Sequence, residues 1–191
     1  APTVANPIAD VTVDEDAGDL VIDLSAVFAD MDSDVILKSV HANTDEGLVT
    51  TTINGDELTL DFQDDQNGQA TLTIRGTADG QFVDDGFTVT VRPVDDAPTV
   101  ANPIADVTVN EDAADSIIDI GDVFADIDSA VIIKSVQDNT NQDLVRANIA
   151  GDELTLDYQD DQNGQATLTI RGLANGKSVE DTFTVTVTLT V

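Results

Sequence analysis

The chain has 191 residues, of which 38 are Asp or Glu and 7 are Lys or Arg, giving a formal charge of −31. Such a charge repels nucleic-acid phosphates and anionic membrane surfaces, so neither nucleic acid nor direct membrane contact is expected. The absence of Cys excludes disulfides and thiol chemistry, and no apolar run approaches the length of a membrane-spanning helix.

The pattern reads as strand throughout, and no segment has a helical period. Taken in chain order, strand A is expected near 8–13 and strand B near 19–24, where Leu20, Ile22 and Leu24 alternate. Strand C is expected near 35–41, D near 48–53 and E near 57–62, the last with Leu58, Leu60 and Phe62 on one face. Strand F is placed near 70–77 and G near 81–92, with Thr interleaved among the apolar positions. Asn54-Gly55 marks a hairpin between D and E, and Asp79-Gly80 marks another between F and G.

All of this returns at an offset of 96 residues without insertion or deletion. Ala1 through Asp10 recur unchanged as Ala97 through Asp106, and Gln63 through Gly76 recur as Gln159 through Gly172. Copy two has Ala150-Gly151 at the first hairpin, so a different turn is expected there. A period this long is a whole-domain repeat rather than a solenoid rung. The expected organisation is residues 1–95 and 96–191, with a linker at about 92–98. Its prolines, Pro93 and Pro98, should make that linker stiff. Seven short strands per copy predict an all-β chain of two tandem immunoglobulin-like Greek-key sandwiches. Copy two stops at Val191, which aligns with Asp95, so the chain reads as a piece of something longer.

Strand parity places the acids. Successive strands reverse direction, so the A–B, C–D and E–F loops share one pole, and the B–C, D–E and F–G loops share the other. Asp14-Glu15-Asp16 and Asp64-Asp65 therefore fall at the C-terminal pole of copy one, beside Asp95 and Asp96 of the linker. Asp126-Ile127-Asp128 falls at the N-terminal pole of copy two, toward the same junction. Clustered carboxylates disfavour one another's ionisation. Ca²⁺, which takes six to eight oxygens in flexible geometry, would relieve that. Asp30, Asp32 and Asp34 at one outer pole, and Asn110-Glu111-Asp112 with Asp160-Asp161 at the other, should form incomplete sites.

The same residues carry a family resemblance over nearly all of both copies. Val94-Asp95-Asp96-Ala97-Pro98 resembles the cadherin interdomain linker. Asp30-Met31-Asp32 and Asp126-Ile127-Asp128 are similar to its Asp-x-Asp calcium motif, and Glu15 and Glu111 to its early Glu ligand. The order Val-Asp-Glu-Asp, then Val-Phe-Ala-Asp-x-Asp-Ser, then Asn-Gly before Thr-Leu-Thr-Ile, resembles bacterial cadherin-like, tandem-95-type repeats. The resemblance implies cadherin-like sandwiches, bound Ca²⁺, neighbouring repeats of the same chain as partners, and a place in a large secreted surface adhesin. It departs from the animal pattern in the linker, which has Asp-Asp instead of a longer Asp/Asn string. Copy two also has Ala130 where copy one has Asp34.

Blander readings stand beside these. Asp64-Asp65-Gln66-Asn67-Gly68 reads equally as a tight Asx-capped turn, with one Asp still free to act as a ligand. Asp10 and Asp106 read as turn residues, and His41, with Gln137 as its counterpart, as incidental. Lys38 and Lys134 read as solvent-face lysines rather than partners of Asn67 and Asn163 in a crosslink. No nucleophile sits beside a base, and the Asp pairs lack the apolar setting that separates two pKa values, so no enzyme is expected. The rival function is a calcium-dependent carbohydrate module that takes polysaccharide. Against it, Phe28, Phe62 and Phe87 recur as Phe124, Tyr158 and Phe183 at core positions, and only Phe82 lacks an aromatic counterpart.

Overall fold

Apolar residues and Thr alternate along these segments, and alternation of period two puts one face of each strand inside. The computed structural model describes residues 1–190, and every regular element among them is a β-strand. The chain divides into two units, Ala1–Val94 and Asp95–Val191. In the first, β1 (Thr3–Val4), β2 (Val11–Asp14), β3 (Leu20–Asp23), β4 (Phe28–Ala29) and β5 (Leu37–Asn43) lead to β6 (Val49–Asn54), β7 (Glu57–Phe62), β8 (Gly68–Ala78) and β9 (Gln81–Arg92). The second repeats the order: β10 (Thr99–Val100), β11 (Val107–Asn110), β12 (Ser116–Asp119), β13 (Phe124–Ala125), β14 (Ile133–Asn139), β15 (Val145–Ala150), β16 (Glu153–Tyr158), β17 (Gly164–Ala174) and β18 (Lys177–Thr188).

Each unit is a sandwich. A four-stranded sheet, ordered β2-β9-β8-β5, faces a three-stranded sheet, β3-β7-β6, and β1 pairs with β4. Repeat two does the same with β11-β18-β17-β14, β12-β16-β15 and β10-β13. The inward residues of both sheets make one core per unit, with Leu24, Leu58, Leu60, Leu72, Ile74 and Val89 fully buried in the first. Six of the seven expected aromatics lie in these cores, and Phe82 stands 59% exposed.

The longest strands match their expected positions, whereas strand A does not. It breaks into β1, on β4, and β2, which runs parallel to β9. Two-residue pairings such as β1–β4 carry too little alternation to be read from sequence. The crossing segment is tied down by acids instead. Asp85 Oδ2 accepts the Ile8 amide at 2.7 Å, and Asp10 Oδ1 accepts the Thr88 amide at 2.7 Å. Asp181 and Asp106 do the same for Ile104 and Thr184.

The first hairpin corrects an expectation. Asn54 is the last strand residue, paired with Glu57, and the two-residue loop is Gly55-Asp56. Only Gly55 has positive φ, 64°, the pattern of a type II′ turn. Gly151 has the same φ, so Ala150 in place of Asn54 leaves the turn unchanged. Asn54→Ala should accordingly alter the urea midpoint little, whereas Gly55→Ala should lower it clearly, because Ala is strained at that φ. The F–G turns, Asp79-Gly80 and Asn175-Gly176, have positive φ at both positions, as type I′ requires.

Lys38 and Lys134 also depart from the expected solvent face. Their side chains are 8% and 7% exposed, and their ammoniums pair with Asp56 and Asp152 in the hairpin loops. Lys134 donates additionally to the Gly121 carbonyl at 3.2 Å. A buried ammonium needs such a partner, and the glycine-led loop brings the carboxylate round to it.

Candidate metal centre

The C-terminal pole of repeat one grows from the end of β2. The Glu15 amide continues the ladder by donating to the Arg92 carbonyl at 2.9 Å, which turns the Glu15 side chain inward. Glu15 is only 5% exposed. Its Oε2 accepts Asn67 Nδ2 at 3.1 Å, and its Oε1 accepts the Val94 amide. These bonds join the A–B loop, the E–F loop and the chain beyond β9 through one carboxylate. Next to it, Asp16 and Asp65 both adopt left-handed backbone, with φ of 61° and 56°. The Asp65 amide donates to Asp16 Oδ1 at 3.1 Å, and a carboxylate oxygen of each lies within 4.8 Å of the other. Asp64 is exposed on the same turn, and Asp14 pairs with Arg92 at 3.4 Å.

Repeat two keeps the ladder bond and the aspartate pair, with Glu111 half-buried. The Glu111 amide donates to the Thr188 carbonyl at 2.9 Å, and Glu111 Oε1 accepts the Thr190 amide at 2.9 Å. Asp112 and Asp161 are left-handed at 56° and 55°, and the Asp161 amide donates to Asp112 Oδ1 at 3.0 Å. Left-handed non-glycine residues cost on the order of 1–3 kcal/mol each and persist where surroundings over-determine them. In both copies the amide of the second aspartate ties it to the carboxylate of the first.

The N-terminal pole of repeat two is a second set of oxygens. Asp126 Oδ1 accepts the amides of Asp128 and Ser129, at 2.9 and 2.8 Å. Asp128 Oδ2 accepts the Asp96 amide at 2.7 Å. Asp126 Oδ2 is buried, and among the described residues no hydrogen-bond donor reaches it. A buried anionic oxygen without a donor is costly and fits a cation. Asp95 is occupied differently: its Oδ1 accepts Asn175 Nδ2 at 2.6 Å, and Lys177 Nζ lies 3.7 Å from its Oδ2.

In repeat one the equivalent of Asp126 is Asp30, whose Oδ1 accepts the Asp32 amide at 2.9 Å. That bond, from a donor held in the loop, pulls the Asp30 carboxyl below the usual aspartate range. Its side chain is 1% exposed, and Oδ2 lies 3.4 Å from the Ala1 ammonium. Asp32 and Asp34 are exposed. Each repeat thus gathers acids at both of its poles. Loop order in the sequence located them. Asn67 as the donor that orients Glu15, and the Asn175–Lys177 pair on Asp95, escaped that reading. The signal for the latter was the Asp79-to-Asn175 and Gln81-to-Lys177 difference between copies. Asn67, moreover, serves Glu15 at the pole opposite the Lys38–Asp56 pair, which disposes of a Lys38–Asn67 crosslink.

One cluster lies away from the poles. On β8 and β9, the Arg75 Nε and its second nitrogen donate to the two Asp84 oxygens at 2.7 and 2.8 Å. The guanidinium sits 3.9 Å over the Phe82 ring, and His41 Nε2 lies 3.0 Å from it. Arg75 lowers the Asp84 pKa by hydrogen bonding, and Asp84 raises that of Arg75. A depressed folded pKa gives stability that is present above the unfolded value, about 4, and lost as pH falls through the folded one. Asp84→Asn should therefore lower the melting temperature slightly at pH 7, and the difference from the parent should shrink in acid titration as pH falls through the depressed pKa of the folded Asp84.

Comparison with known proteins gives a family and several structural likenesses. The family model described as lipoprotein associated domain matches residues 27–92 and 105–190. No curated protein matches. Human protocadherin-24 EC1-2 aligns at 15% identity and a TM-score of 0.49, over 94% of this chain and 93% of that one. The titin domains z1z2, solved with telethonin, align at 12% identity and a TM-score of 0.39, over 100% and 98%. An endo-fucoidan hydrolase of glycoside hydrolase family 107 aligns at 17% identity and a TM-score of 0.41 over 100% of this chain, which spans only 29% of the hydrolase. With both repeats matched over most of their length, the chain belongs to the family of the lipoprotein associated domain.

Proposed function

We propose that this chain is a calcium-binding, calcium-rigidified extender segment of a bacterial cell-surface adhesin, a secreted, non-enzymatic spacer that carries distal binding domains outward. The supporting observation is the pair of left-handed aspartates in each copy, Asp16–Asp65 and Asp112–Asp161, with the buried Glu15 beside the first pair. The donor-free oxygen of Asp126 adds to it. The oxygens are all of the hard kind that Ca²⁺ selects. The proposed ligands are Glu15, Asp16 and Asp64 or Asp65 in repeat one, and Asp96, Asp126 and Asp128 in repeat two, with Asp95 joining the latter when it leaves Lys177. Bound Ca²⁺ would neutralise these carboxylates and restrict the linker. The outer groups, Asp30 with Asp32 and Asp34, and Glu111 with Asp112, are proposed as weaker sites.

Calorimetric calcium titration tests the assignment. The parent should show at least two affinity classes, and replacing Asp126 and Asp128 with Ala should abolish the tighter one. Unchanged stoichiometry and affinity in that variant would show the ligands to be wrong. Small-angle scattering tests the extender role: the maximum dimension should sharpen and lengthen with Ca²⁺, and indifference to calcium would defeat it.

A carbohydrate-binding module is the second reading, favoured by the exposed Phe82 ring beside Arg75 and Asp84. A polysaccharide screen with and without Phe82→Ala separates the two. Saturable binding that the substitution removes would favour the module, and calcium uptake with no glycan retained favours the extender.

A further inference from the structure

The two F–G turns have the same backbone and opposite charge. Asp79-Gly80-Gln81 and Asn175-Gly176-Lys177 are both type I′, with first-position φ of 49° and 47°. Repeat two has exchanged an acid for an amide and an amide for a lysine within three residues. Both new side chains meet the same group. Asn175 Nδ2 donates to Asp95 Oδ1 at 2.6 Å, while Lys177 Nζ donates to the Asp95 carbonyl and lies 3.7 Å from Oδ2. With the repeat-one side chains, Asp79 would have set a second carboxylate against Asp95, and Gln81 would have brought no charge.

We infer that Asn175 and Lys177 form a built-in clamp that holds the linker residue Asp95 on repeat two without metal, the lysine ammonium standing where a cation would otherwise be needed. An isolated surface ion pair contributes little. Here, however, one residue is gripped at its carbonyl and at both carboxylate oxygens, and the donors stand on a two-residue type I′ hairpin. In consequence Asp95 is ordered before calcium arrives, and it is withheld as a ligand while Lys177 is bound. The second consequence rests on the calcium reading; the first does not.

The test is Asn175→Asp with Lys177→Gln, which restores the repeat-one turn and leaves its glycine untouched. Backbone ¹⁵N relaxation is measured in chelator and then across a calcium titration. In chelator the parent should show Asp95 with an order parameter near the rigid value, about 0.85, and the variant should fall toward about 0.6 or below. Calcium affinity should rise severalfold in the variant, because a carboxylate is released and a competing cation removed. In 1 M NaCl the parent should lose much of the order at Asp95, as screened charges do. Equal order at Asp95 in parent and variant overturns the clamp, whatever calcium does. Absence of calcium binding in both proteins overturns the calcium reading instead, and the chelator measurement still decides the clamp.

Discussion

Adding calcium in place of chelator is expected to raise the melting temperature of this protein by on the order of 10 °C. A ligand that binds only the folded state stabilises by RT ln(1 + [L]/Kd), about 2.7 kcal/mol at a hundredfold excess. For domains of this length 1 kcal/mol is about 4–8 °C. The net charge of −31 adds self-repulsion that any salt will screen, so the control is NaCl at matched ionic strength. NaCl should produce a smaller rise. Mg²⁺ should also fall short, because it demands shorter, near-octahedral coordination and gives up its waters reluctantly. Replacing Asp126 and Asp128 with Ala should remove most of the calcium increment while leaving the NaCl increment in place. Superimposable melts in Ca²⁺ and in chelator would rule out any structural role for the ion.

The largest effect of a single methyl group is expected at Gly76. A Cβ there would meet the buried Phe28 ring at 2.7 Å from Cγ and 2.9 Å from Cδ1. Overpacking of this kind costs about 1–3 kcal/mol. Gly76→Ala should therefore lower the urea midpoint of repeat one without changing the denaturant slope. Phe28→Leu shrinks the ring that the methyl strikes. The pair should be less destabilised than the sum of its singles, by about 0.5–3 kcal/mol. Gly172 faces Phe124 at 2.8 Å in the same way, so repeat two supplies an independent replicate. Strict additivity in both repeats would mean that the ring is not what the methyl meets.

How legible the fold was depended on strand length. β7 and β9 fall on the expected residues, since the alternation of Leu58, Leu60 and Phe62 in one and of Phe87, Val89 and Val91 in the other leaves one register. β1 and β4 were invisible at two residues each, and what fixes them is tertiary: the Ile8 amide held by Asp85, and β2 laid along β9. The sites divide similarly. Loop parity puts Glu15, Asp16 and Asp65 at one pole of repeat one, and hydrogen bonds join Asp16 to Asp65 and Glu15 to Asn67 there. It could not say that Asp16 and Asp65 take left-handed backbone, because Asp is permitted there and not required. Nor could it reveal that Lys38 is buried, since its partner Asp56 lies across a hairpin whose loop residues differ from the dipeptide that signalled it.

The parallel pairing of β2 with β9 decides how each unit would respond to force. In repeat one, Val11 faces Val89, Val13 faces Val91 and Asp14 faces Arg92, and the Glu15 amide to the Arg92 carbonyl extends the ladder. One of these strands lies close to the entry of the unit and the other at its exit. Tension on the chain therefore draws them in opposite directions along their own axes. The evenly spaced slanted bonds of a parallel ladder then share the load in shear and break together, where an antiparallel hairpin pulled at its open end would unzip one bond at a time. Rupture under load follows the barrier to unfolding rather than the equilibrium stability. A modestly stable domain with this pairing can thus bear tension well, and β11 on β18 gives the second repeat the same mechanical lock.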